Sequence, residues 1–288
     1  LVFALLEKFE DGMESTRLQK LMFLLTRMQK EPSYDFVPYR YGCYSYSLKA
    51  DLAAMVKHDW LLESEKTYRL NLKKKYYNEL TSTDKQFVNE TFELYGKMKT
   101  DVITKHTYIN FPYYATNSII ADRILPEKFF ERVENARPND ESKALFTIGY
   151  EGISLEEYLN RLLKNNVHLL IDVRRNPLSQ KFGFSKRTLS SFCSRLGIEY
   201  IHIPDVGIDS SKRSELNTQE DYDLLFNDYK ETVLKETIES QNFILGLLEK
   251  HRRIALTCFE ADTCQCHRTH LAEKLHKSSN FEYDLKHI

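Results

Sequence analysis

The first apolar pattern along the chain is helical. From Thr16 to Lys30, residues Leu18, Leu21, Met22 and Leu25 repeat at the spacing that places them on one helix face. Pro32-Ser33 breaks the pattern, and the aromatic stretch Phe36-Val37-Pro38-Tyr39-Arg40-Tyr41-Gly42-Cys43-Tyr44-Ser45 follows. A second amphipathic helix is predicted from Ser47 to about His58, with Leu48, Leu52, Met55 and Val56 on one side. Trp60-Leu61-Leu62, the polar Ser64-Glu65-Lys66 and then Thr67 to Leu72 read as a β-hairpin. Helices followed by a short hairpin describe a winged-helix-like module. Residues 121–143 are charged, contain Pro126 and Pro138, and end in Arg137-Pro138-Asn139-Asp140, so they are predicted to be a linker between domains at 1–120 and 144–288.

Beyond that linker, strand patterns alternate with helix patterns. Leu145 to Tyr150 reads as a strand, Gly152 turns the chain, and Ser154-Leu155-Glu156-Glu157 is a capping box. The helix it opens carries Leu155, Tyr158, Leu159, Leu162 and Leu163 on one face. Val167 to Val173 is a nearly continuous apolar run, as expected of a strand covered on both sides. A helix from Lys186 to Leu196, a strand from Glu199 to Ile203 and a long helical region from Gln219 to His251 come next. Ile254 to Cys258 is a fourth strand, a helix starts near Cys266, and Tyr283 to Ile288 is a fifth strand. This order predicts an α/β domain with a Rossmann-like, mostly parallel five-stranded sheet and right-handed crossovers, preceded by the mainly helical winged-helix-like domain.

Composition narrows the function classes. At 288 residues, with 42% hydrophobic and 29% charged content, the chain has material for two ordinary globular cores. A net charge of −1 excludes a strongly basic footprint over the whole surface, so any nucleic-acid contact must come from a local patch. No apolar run is long enough to span a bilayer, and no membrane partner is expected. The opening Leu1-Val2-Phe3-Ala4-Leu5-Leu6 lacks a basic leader and a small-residue cleavage site, and a chain that starts with Leu is compatible with a preceding segment. The five cysteines are an odd number, three of them crowded at Cys258, Cys264 and Cys266, which points to reduced thiols and a cytoplasmic setting.

Two resemblances attach to these patterns. Leu18-Gln19-Lys20-Leu21, Tyr39-Arg40-Tyr41-Gly42-Cys43-Tyr44-Ser45 and Phe111-Pro112-Tyr113-Tyr114-Ala115 together resemble a winged-helix-type domain of bacterial regulatory proteins, and more distantly the Panacea-type antitoxin domain. If that module binds DNA, Arg40, Lys49, Lys57, Arg69 and Lys73, Lys74 and Lys75 are its candidate phosphate contacts. Nearby acidic residues almost balance them, so docking of a partner protein stays open. In the second domain, Thr147-Ile148-Gly149-Tyr150, Asp172-Val173-Arg174 with Pro177 and Ser179, Phe184-Ser185-Lys186, Tyr200-Ile201-His202-Ile203-Pro204, Cys258-Phe259-Glu260, Cys266-His267-Arg268 and His287-Ile288 resemble the domain-of-unknown-function 488 family. The resemblance implies a Rossmann-like domain of bacterial proteins and no established reaction. Val206-Gly207-Ile208 departs from the Leu-Gly-Gly frequent in that family, which puts the loop after the third strand in question.

Open parallel sheets bind ligands beyond the carboxyl ends of their strands, where these motifs fall. Arg174 and Arg268 are candidates for a phosphate or carboxylate, the latter in the first turn of a helix. Their alternative is structural pairing, of Arg174 with Asp172 or Glu260. Asp172 and Glu260 are candidates for acid and base, or for a pair that braces loops. Tyr150, Ser179, Tyr200, His202 and His267 are candidates to orient the ligand. Cys258, Cys264, Cys266, His267 and His270 invite a metal, with His202 or His287 to complete it, but the paired C-x-x-C spacing is missing and no metal is expected. Cys266 at a helix start is also a candidate nucleophile. A rhodanese-like loop is missing after Cys258. The sequence identifies no cofactor. The expected function is a hydrolase acting on a nucleotide or nucleic acid in DNA processing, repair or phage defence. The alternative is a regulator that senses a phosphorylated small molecule and binds DNA or a protein.

Overall fold

In the computed structural model, which describes residues 1–9, 11–71, 74–209, 212, 216 and 218–288, the chain forms two units, Leu1–Arg137 and Pro138–Ile288. The first begins with α1 (Val2–Leu6), β1 (Met13–Glu14) and α2 (Ser15–Thr26). β2 (Val37–Tyr39) and β3 (Gly42–Tyr44) pair antiparallel. The two motifs read together in the sequence meet here. Gln19 exchanges hydrogen bonds with the Ser45 backbone at 3.1 and 2.8 Å, and buried Lys20 donates to the carbonyls of Tyr41 and Cys43. Polar side chains at buried helix positions are thus spent on the backbone of the aromatic stretch. Gly42 is required between them: its φ is +87°, and a Cβ would stand 2.3 Å from the Tyr108 ring.

α3 (Tyr46–Lys57) is capped by Ser45, whose Oγ accepts from the Leu48 N–H at 3.1 Å. β4 (Leu61–Ser64) and β5 (Thr67–Leu70) form the expected hairpin, and β5 also pairs with β1, giving an antiparallel sheet of order β1-β5-β4. α4 (Ser82–Tyr95) and α5 (Thr100–Asn110) complete a core that includes Leu18, Leu21, Leu52, Val88 and Ile103. The segment expected as a linker is helical over most of its first part, while the two units divide inside it, between Arg137 and Pro138. α6 (Ala121–Ile124) and α7 (Glu127–Asn135) bury Leu125 and Val133 against Tyr108 and Ala115. Pro126 does not break this structure, because it sits just before the first turn of α7, where a missing N–H costs nothing.

The second unit contains β6 (Ala144–Gly149), α8 (Leu155–Lys164), β7 (Leu169–Asp172), α9 (Lys186–Arg195) and β8 (Glu199–His202). α10 (Gln219–Glu231), α11 (Val233–Glu236), α12 (Ile238–His251), β9 (Arg253–Cys258), α13 (His267–Ser278) and β10 (Asp284–His287) follow. The long helical region expected over Gln219 to His251 is made of three consecutive helices. It breaks at Thr232 and Thr237, whose hydroxyls turn back to the carbonyls of Asp228 and Val233 at 2.7 and 2.6 Å.

The five strands are all parallel, in the order β10-β6-β9-β7-β8, a Rossmann-like α/β sheet. Alternate strand residues serve opposite faces. Leu145, Leu169, Ile171, Ile254 and Leu256 pack with residues of α10 to α13. Phe146, Ile148, Leu170 and Ala255 are buried on the other side, where Tyr158 of α8 donates its hydroxyl to Thr257 Oγ1 at 2.8 Å. Among the described residues no helix is long and apolar enough to cross a membrane, and all five cysteines are free thiols.

Candidate active site at the strand ends

The carboxyl ends of β6, β7 and β9 are adjacent because β9 lies between the other two. The loop leaving β9 folds onto the end of β6: the N–H groups of Tyr150 and Glu151 donate to Phe259 O at 3.1 and 2.9 Å. Gly149 makes this approach possible, since a Cβ there would stand 1.9 Å from Glu260 O. Gly207 does the same after β8, where a Cβ would meet Arg175 N at 2.5 Å.

Asp172 is fully buried. Its Oδ1 accepts from the Arg174 N–H at 3.1 Å and Arg174 Nε at 2.8 Å, and its Oδ2 accepts from Arg174 Nη2 at 2.5 Å and the Tyr200 hydroxyl at 2.6 Å. Arg174 also donates to Tyr150 Oη at 2.7 Å and Phe184 O at 2.9 Å. Burial alone would lower the pKa of this guanidinium, but the bonds and charge of Asp172 more than offset it and hold it above its ordinary value. The Tyr200 phenol is pushed up, first by burial and then by the Asp172 carboxylate. Tyr150 stacks on Phe184 with ring centres 4.2 Å apart, and His202 Nε2 lies 2.9 Å from Arg174 O. Of the two readings open for Asp172 and Arg174, the internal pair is the one these contacts describe.

Arg268 is likewise turned inward. Its Nη1 and Nη2 donate to the carbonyls of Glu260 and Ala261 at 2.5 and 3.3 Å, so it holds the loop after β9 from within. Ser179 shapes a turn: its N–H donates to Ser185 Oγ at 3.1 Å and its Oγ accepts from the Lys181 N–H at 3.2 Å. His287 bonds Thr147 Oγ1 at 2.7 Å, and Cys264 is exposed.

A cavity of about 320 Å³ opens at this rim, walled by Tyr150, Arg174, Arg175, Ser179, Glu260 and His267. Sequence reasoning missed Arg175, Asn176, Leu178, Ile208 and Phe259, which also line it. Ile208 stands where Leu-Gly-Gly has its second glycine, so that departure adds a side chain to the cavity wall. Residues 154–275 match the family model described as domain of unknown function DUF488. The second unit carries a DUF488 domain. No curated protein matches the chain.

Deep in the rim of the DUF488 domain, one donor atom from each of Cys258, Glu260, Cys266 and His267 lies within 4.8 Å of the others, a set of the kind that can hold a metal ion. Cys266 Sγ donates to Glu260 Oε2 at 3.0 Å, and Cys258 Sγ is 3.6 Å from His267 Nδ1. Burial pushes the Cys266 thiol well above its ordinary pKa, with Cys258 adding to the rise, which disfavours a free thiolate nucleophile.

In the first unit, Lys49 bonds Tyr68 Oη at 2.5 Å and pairs with Glu63 at 3.4 Å, and Lys74 pairs with Glu79 at 2.5 Å. Arg40, Lys57 and Lys75 are exposed, Arg69 donates to Asp11 O at 2.8 Å, and Lys73 lies outside the described residues.

Proposed function

We propose that the DUF488 domain is an enzyme that hydrolyses a nucleotide or another phosphorylated substrate bound in the 320 Å³ cavity at the strand ends. The observation that carries this reading is the composition of that cavity. The Arg175 guanidinium and Asn176 offer donors to an anion, Leu178, Ile208 and Phe259 offer an apolar wall to a base or ring, and the Glu260 carboxylate stands beside them. Arg175 takes the anion-binding role, because Arg174 and Arg268 are buried and engaged internally, whereas Arg175 is exposed and its contacts to Asp205 at 3.7 Å and Pro204 O at 3.4 Å are long. Glu260 takes the proton-transfer role.

A second reading, a sensor without turnover, is favoured by one fact: Asp172, the other expected acid, is consumed by Arg174 and Tyr200. Thermal shift of the full chain against a panel of nucleotides and oligonucleotides, followed by product analysis of each hit, separates the two. The enzyme reading expects Arg175→Ala to lose binding and Glu260→Gln to bind but not turn over. Binding without product in the unsubstituted protein would favour the sensor, and no hit from any phosphorylated compound would remove both.

The first unit supports a winged-helix-like docking role through its order α1, β1, α2, α3, β4, β5 and its sheet order β1-β5-β4, with the β2–β3 hairpin inserted between α2 and α3. Its charges favour a protein partner over DNA. On α3, Lys49 is paired with Glu63, Asp51 accepts from Tyr34, and the neighbouring exposed positions Ala53 and Ala54 are uncharged. Anisotropy titrations with duplex DNA should give weak binding at low salt. Tight binding that falls steeply with salt, and weakens on removal of Arg40, Lys57 and Lys75, would restore the DNA reading.

A further inference from the structure

From the Cys258–Glu260–Cys266–His267 cluster we infer a metal centre for a zinc-class divalent cation in the DUF488 domain. Cys258 is the last residue of β9, and Cys266 and His267 form the N-cap and first residue of α13, so the strongest donors stand on the ends of two packed elements. A tetrahedral zinc site with bonds of about 2.0–2.3 Å requires donor-to-donor distances of roughly 3.6 Å. The 3.6 Å between Cys258 Sγ and His267 Nδ1 meets that, and all four donors fall within 4.8 Å of one another before any ion draws them in.

The histidine supplies an independent argument. His267 Nε2 is 3.2 Å from Val173 O. A carbonyl only accepts, so Nε2 carries the hydrogen, and Nδ1 of the neutral ring presents its lone pair to the sulfur side of the cluster. This is the outer hydrogen bond that metal-bound histidines make, fixing both tautomer and ring angle. Two sulfurs and an imidazole select a soft, thiolate-binding ion over magnesium or calcium. Glu260, intermediate in exposure and on the cavity wall, is the weakest and most exchangeable of the four. The centre would therefore abut the proposed substrate cavity, but the inference does not depend on that cavity being an active site.

The test is metal content, which needs no turnover. Full-length protein purified from zinc-containing medium and dialysed against metal-free buffer should retain one zinc per chain. Cys258→Ser and Cys266→Ser should each lower occupancy about tenfold or more, while Cys264→Ser, exposed and outside the cluster, should keep it. Cobalt substituted into the unaltered protein should give tetrahedral d–d bands and a thiolate-to-metal charge-transfer band, which Cys266→Ser removes. Circular dichroism checks that each variant is folded. Should the serine variants fail to fold, mercurial titration of the unaltered chain should release one zinc, captured by a chromogenic chelator. Protein that neither retains nor takes up zinc or cobalt, or that binds them equally well after both cysteines are replaced, would overturn the inference.

Discussion

Replacing Arg174 by Met tests the internal pair at the end of β7. The residue is buried and its apolar stem is close in size to Met, so the main change is the loss of donors. Asp172 accepts four hydrogen bonds, two of them from the guanidinium, and the substitution leaves a fully buried carboxylate with the Arg174 N–H and the Tyr200 hydroxyl alone. Removing one partner of a buried ion pair costs about 3–5 kcal/mol. Phe184 O and Tyr150 Oη also lose their donor, which places the expected value toward the upper part of that range. Hydrogen exchange of the full chain, read on peptides covering β7 and β9, gives the opening free energy of the second unit. Trp60, the only tryptophan, reports the first unit by fluorescence as an internal reference. Adding Asp172→Asn to Arg174→Met should recover roughly 1–3 kcal/mol, because the unpaired charge is then gone. A loss below about 1 kcal/mol for Arg174→Met, or no recovery in the double variant, would refute the view that this pair is structural.

Tyr200→Phe should cost about 1–2 kcal/mol by removing a donor to Asp172. Because the folded phenol has a raised pKa, its contribution is complete below about pH 10 and is lost as pH rises beyond that, so the alkaline fall in the urea midpoint should be shallower in the Phe variant. Gly149→Ala should destabilise the second unit by about 1–3 kcal/mol or more, since the loop carrying Glu260 must move, with exchange of residues 259–261 rising most in mass spectrometry. Glu65→Asn with Lys66→Gly should stabilise the first unit by about 1 kcal/mol, because both positions have positive φ in the hairpin turn, a gain visible as a higher urea midpoint of Trp60 fluorescence.

The five strands of the second unit were legible in the chain because their apolar runs are short, flanked by turn residues and spaced by helix patterns. The breaks at Thr232 and Thr237 were not, since threonine disturbs helical periodicity only through its hydroxyl, which the hydrophobic pattern does not register. The residues at the rim were found, and the pairing of Arg174 with Asp172 was one of the two readings left open. Asp172 and Arg174 are two apart at a strand end, hence on the same side and opposite in charge, and that spacing alone points to a mutual bond and turns attention to Arg175. Cys258, Cys266 and His267 were already read as residues that invite a metal, but Glu260 was taken only as an acid or base, because its place beside them depends on a loop that folds over Gly149, a contact distant in sequence. Pro126 was counted toward a linker because its place relative to the helix that follows is not marked in the sequence.

The position of β9 bears on how the second unit comes into being during synthesis. Its two neighbours, β6 and β7, emerge from the ribosome about a hundred and about eighty residues before it, and neither can bond to the other because β9 separates them. Until residues 253–258 are made, two apolar strands expose unpaired edges, which are templates for association with other chains. Acquisition of the domain is thus a late, all-at-once event, and chaperone demand should peak while α10 to α12 are being translated. Cys258 arrives at the end of the same strand, so the rim assembles only when the sheet closes.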